Sequence, residues 1–127
     1  MGVFADLRAT LAADLAPLGV PVHPSWPPTF TTPCVFLAPP LGGDFITPGP
    51  QFAHTYTLYV DLVILVEHST AEDGFAALEA LVELALLHTM DWALSGVDSP
   101  SPITVTESGA EYLGTVLHLR KTARLTT

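Results

Sequence analysis

The chain has 127 residues, 49% hydrophobic and only 13% charged, with 13 acids against 4 bases and a net charge of −9. One domain is expected at this length, and the acidity excludes a basic grip on nucleic-acid phosphates or on an anionic membrane surface. Charged residues reach about half of ordinary usage, which implies a surface partly covered by other copies or other proteins; a weakly charged, Pro-rich soluble monomer is the plainer alternative.

Phe4, Leu7, Leu11, Leu15 and Leu18 recur at steps of three or four, the stripe of an amphipathic helix. Pro17 and Gly19 close that helix near residue 16, and Val20 to Val22 follows as a short extended piece. No secretory signal is expected in MGVFADLRATLAADL, which has acids and no basic cluster. Residues 24–33, PSWPPTFTTP, hold four prolines, so extended or turn-like chain is expected there. Cys34 to Ala38 reads as a short strand. Cys34 is the only cysteine, which excludes an internal disulfide, and without basic neighbours it is expected to pack rather than react.

Residues 39–51, PPLGGDFITPGPQ, read as a long loop with four prolines and three glycines. Leu41, Phe45 and Ile46 make it apolar, so it either seeks a partner surface or folds back onto its own core. The segment TYTLYVDLVILV is the strongest strand. Under period-2 alternation Tyr56, Leu58, Val60, Leu62, Ile64 and Val66 form an apolar face toward helices, and Asp61 lies on the wetter face. A lone buried carboxylate is costly, so Asp61 is expected to meet solvent, a subunit contact or a base, with Arg120 and Lys121 the candidates. Ser69 with Glu72, or Thr70 with Asp73, has capping-box spacing. The helix they open is expected to run to Ser95-Gly96, roughly 35 Å long, with Phe75, Leu78, Val82, Ala85 and Leu86 in one stripe that Leu81, Leu84 and Leu87 widen, packing against a sheet and a neighbouring helix, and Glu72, Glu79 and Glu83 on a solvated stripe. Ile103 to Glu107 and Tyr112 to Leu125 then read as a hairpin around Ser108-Gly109-Ala110. The expected fold is α+β: an antiparallel or mixed sheet of about four strands packed against two α-helices.

No chemistry converges. Only His88 among the five histidines has an acid at helical spacing, Asp91, and two ligands do not make a zinc site. No nucleophile elbow or phosphate-binding Gly-rich loop is present. No catalytic or metal residue and no cofactor is assigned, and the most apolar window, Gly74 to His88, is too short and too acidic for a membrane span.

The ordered pattern across most of the chain resembles the tail terminator (tail completion) proteins of long-tailed bacteriophages and related gene transfer agents. It consists of the helix FADLRATLAADLAPL, the strand PCVFLAP, a Pro/Gly-rich loop, the strand YTLYVDLVILV, the polar cap HSTAEDG opening a Leu/Ala helix, and the ends ITVTE and YLGTVLHLRKTARL. The resemblance implies a structural virion protein at the head-proximal end of the tail, assembled in the host cytoplasm. It implies a homo-oligomer, a hexameric ring that caps the tail tube protein, stops polymerisation and presents a face to head–tail connector proteins. DNA would pass through an acidic lumen without specific binding, and no membrane is involved. The contact residues expected from this reading are Leu41, Asp44, Phe45, Ile46, Phe52, Asp61, Arg120 and Lys121. Another connector, a tube-like protein or a small ligand-binding domain are the alternatives; a ligand-binding domain would need a concave site with convergent polar groups.

Overall fold

The computed structural model describes residues 2–25, 30–40, 42–50, 54–67, 71–104 and 111–125, without the side chains of 71–73 and 104. Helix α1 (Val3–Asp14) passes into a 3-10 turn (Ala16–Leu18) that ends at Gly19, whose φ of 74° suits a residue without Cβ. As the apolar spacing predicts, Leu11, Leu15 and Leu18 are buried and Phe4 and Leu7 pack beside them. The next strands are β1 (Val22–His23), β2 (Cys34–Ala38), β3 (Ile46–Pro48) and β4 (Thr55–Glu67). Helix α2 (Ala71–His88) leads to β5 (Ala93–Val97), β6 (Ser101–Thr104) and β7 (Glu111–Arg124).

The fold is α+β as expected, but among the described residues the sheet has seven strands rather than about four. Its spine is the antiparallel pair β4–β7, in unbroken register from Thr55↔Arg124 to Glu67↔Tyr112. Each spine strand is long enough to hold two short partners end to end along its outer edge. Strand β4 takes β3 along Tyr56–Leu58 and β2 along Asp61–Leu65. Strand β7 takes β6 near its start and β5 toward its end. Strand β1 lies parallel to β2, which makes the sheet mixed.

Two of the extra strands come from segments with weak strand signals. The 39–51 stretch is not loop throughout, because Ile46–Pro48 joins β4 and the Tyr59 N–H donates to the Phe45 carbonyl at 2.9 Å. Gly49 closes this hairpin by donating to the Thr55 carbonyl at 2.8 Å, and a Cβ there would collide with the Thr55 hydroxyl. Helix α2 stops at His88, not at Ser95-Gly96, and its 18 residues give a length of roughly 27 Å. The Thr89 hydroxyl donates to the Ala85 carbonyl at 2.7 Å and the Trp92 N–H to the Thr89 carbonyl at 3.0 Å. That turn puts Trp92 into the core and frees Ala93–Val97 to pair with β7. Burial of an indole and a strand ladder outweigh helix propensities, which differ by at most about 0.7 kcal/mol per ordinary residue. The capping residues 69 and 70 and the turn 108–110 lie outside the described residues.

Both helices cover one face of the sheet. Leu58, Val60, Leu62, Ile64 and Val66 of β4 and Leu117 and Leu119 of β7 meet Leu11, Leu15, Leu78, Leu81 and Ala85 there. The opposite face holds a smaller cluster at one end, Cys34, Phe36 and Leu65 beneath Phe30, Ile103 and Tyr112. Its other end is polar, with the Thr57 and Thr122 hydroxyls 2.8 Å apart and Thr47 3.2 Å from the Tyr59 hydroxyl.

Candidate assembly interface

The β3–β4 hairpin brings the predicted apolar pair to the surface. Phe45 is 46% and Ile46 36% exposed, and Asp44 before them is exposed as well. Leu41 and Phe52 lie outside the described residues. Tyr59, which hydrogen-bonds Phe45 through the backbone, pairs with Arg120 on β7, and Leu58 pairs with both Ile46 and Lys121. Phe45, Ile46, Arg120 and Lys121 therefore share one end of the sheet, three strands across. Thr57, Tyr59, Asp91, Ala93, Arg120, Lys121 and Thr122 line an open groove of about 410 Å³ at that end.

Asp61 does not belong to that group, and neither expected base pairs with it. It is 8% exposed and faces His118, its cross-strand partner. His118 Nδ1 lies 2.8 Å from Asp61 Oδ1, and Nε2 lies 2.8 Å from Asp98 Oδ1. Strand parity explains the correction. Lys121, opposite Leu58, projects to the helix face and lies over the Trp92 ring at 5.8 Å, a cation–π distance. Arg120 shares the Asp61 face but sits one pair further along, beside Tyr59 and Ala93.

Ionised carboxylates only accept hydrogen bonds, so an imidazole held between two of them can donate to both only in its protonated form, which the arrangement therefore favours. The bond to Asp98 accordingly raises the His118 pKa, partial burial opposes that, and the bond to Asp61 adds to the rise. The cation compensates the buried Asp61 charge and ties β4 and β7 to the chain after β5. The Asp98 N–H also donates to the Val116 carbonyl at 2.9 Å, and the Thr115 hydroxyl donates to the Asp98 carbonyl. With a carboxylate at each ring nitrogen, His118 clamps three segments of the chain together. Burial pushes the Cys34 thiol up to about 11, which leaves it protonated at neutral pH. Among the described residues, no three His, Cys, Asp or Glu side chains converge as a metal would require, and no helix is long and apolar enough to cross a membrane.

Helix α2 supplies surface that the sequence reading assigned to packing. Leu78, Leu81 and Ala85 are buried, but Phe75, Leu84 and Leu86 are a third or more exposed, and Leu87 is 64% exposed. Met90 (80%), Leu94 and Val97 continue this apolar exposure past the helix end. Among the described residues the helix packs mainly against β4, β7 and the 3-10 turn, and the side chains on its flanks stay exposed. The width of the apolar stripe was the available signal. The missed partners His118 and Asp98 carried a signal only if the β4–β7 register were known.

Compared with known proteins, the chain matches no family and no curated sequence.

Proposed function

We propose that the protein is a virion assembly subunit: a tail terminator that forms a ring on the last ring of the tail tube, stops its growth and offers a docking face to head–tail connectors. The observation that carries this reading is the apolar exposure at two separated places, Phe45 and Ile46 on the hairpin and Phe75, Leu87 and Met90 on and after α2. Patches of this kind on a chain with so few charges belong to protein contacts. The reading needs no reacting side chain and no cofactor. A net charge of −9 suits a passage that DNA crosses without binding.

The test is tube growth. Purified protein is added to polymerising tail tube subunits, and tube lengths are measured by electron microscopy. Arrested, uniformly capped tubes that then accept heads support a terminator. Tubes that grow unchanged under a molar excess refute it. Incorporation along the tube, or polymerisation of the protein alone, selects the tube-like alternative.

A further inference from the structure

Between α2 and the β5–β6 edge lies a groove of about 320 Å³ whose apolar lining includes Phe75, Leu78, Val82, Val97 and Pro100. Phe75 is 43% and Val97 40% exposed, so the groove is open to a ligand. Its rim carries Glu79, Glu83 and Asp98, the last already bonded to His118, and among the described residues that line it there is no Lys or Arg. From residue 71 to residue 104 the sequence has six acids (Glu72, Asp73, Glu79, Glu83, Asp91, Asp98) and neither Lys nor Arg. Glu79 and Glu83 stand four apart on one helix, where like charges repel. A cationic, apolar occupant would relieve the repulsion and cover the phenyl ring together.

The same chain carries such an occupant on the other side of its sheet. The strand order puts β3 outside β4, and β5 and β6 outside β7, so the hairpin and the groove lie at opposite edges. At the hairpin end Phe45 and Ile46 protrude, and Arg120 and Arg124 are exposed opposite Tyr59 and Thr55. Arg120, Lys121 and Arg124 are three of the four bases of the chain, against the nearby acids Asp44 and Asp91. We infer that the β3–β4 hairpin of one copy docks into the acidic, apolar α2 groove of a second copy. Two different surfaces meet, so the contact is head to tail and each copy both gives and receives. This inference deepens the assembly reading and rests on it, because it names the two surfaces through which copies join.

Sedimentation velocity from micromolar to millimolar protein, at low and high salt, tests it. The wild-type chain is expected to self-associate, more weakly in high salt because the charged rim is screened. Phe45→Ser disables the hairpin, and Glu79→Lys with Glu83→Lys disables the groove; each is expected to weaken association about tenfold or more. Circular dichroism melts are the control for folding, and both variants are expected to melt cooperatively. Mixed together, they retain one intact groove and one intact hairpin, so complexes of two copies and no larger are expected. Arg120→Glu with Arg124→Glu should be weak alone and recover on mixing with the groove variant. A wild-type chain that stays monomeric at every concentration, or variants that associate like wild type, would overturn the inference. If the groove variant still caps tail tubes as an oligomer, the inference fails while the assembly reading stands; if the wild type caps nothing, the assembly reading itself fails.

Discussion

Changing Phe45 and Ile46 together to Ser asks whether the hairpin serves a partner or its own core. The exposures of 46% and 36% mean that folding covers about half of the first side chain and two-thirds of the second. Full burial of such a side chain stabilises by about 1.5–3 kcal/mol, so these fractions come to about 1 kcal/mol for Phe45 and about 1.5 for Ile46. Weaker strand propensity at Ile46 adds a few tenths of a kcal/mol. The double variant should therefore lose about 2.5–3 kcal/mol, or on the order of 10 °C in Tm for a chain of this size. Ile46 accounts for most of that loss. Leu58, the fully buried partner of Ile46, sets the scale for the core: Leu58→Ala alone should cost about 2–5 kcal/mol. Urea unfolding gives the stabilities, and sedimentation of the same samples gives the association. A loss above about 5 kcal/mol would return the pair to the monomer core. Association unchanged in the folded variant would equally remove the hairpin from the interface.

Other tests follow from single sites. Because the folded pKa of His118 is raised, its stabilisation is complete below the ordinary histidine value of about 6.5 and disappears as pH rises through the folded value. His118→Gln should flatten that decline. A ring 37% exposed limits the effect to about 1 kcal/mol, and a wild-type stability that rises over the same interval would contradict the clamp. Gly114→Ala should destabilise by about 1–3 kcal/mol, because a Cβ there would stand 2.5 Å from Ile103 and 2.7 Å from Leu65; a melt matching wild type would mean those side chains yield freely. Cys34 should resist alkylation at neutral pH until the chain unfolds; rapid labelling of the native protein would show the thiol to be accessible.

Much of the architecture was legible along the chain because period is a local property. The α1 stripe reappears as buried Leu11, Leu15 and Leu18. The even positions of β4 face the helices and Asp61 faces away, as alternation requires. Where short segments decided the outcome, local signals failed. Ile46–Pro48 and Ala93–Val97 are strands only because β4 and β7 offer them free edges. A turn at Thr89 and the burial of Trp92 truncate a helix that propensity would extend.

By itself, then, the sequence determined an α+β chain with one long central strand, an acidic and sparsely charged surface, and an apolar Pro/Gly-rich segment before that strand. Only the tertiary structure decided which side chains meet. Register between strands 57 residues apart pairs Asp61 with His118 instead of with Arg120 or Lys121. Parity sends Lys121 to the opposite face, onto Trp92. The number of neighbours around α2 likewise decides that half of its apolar width stays at the surface. Register and neighbour count depend on contacts distant in sequence, whereas hydrophobic period depends on adjacent residues.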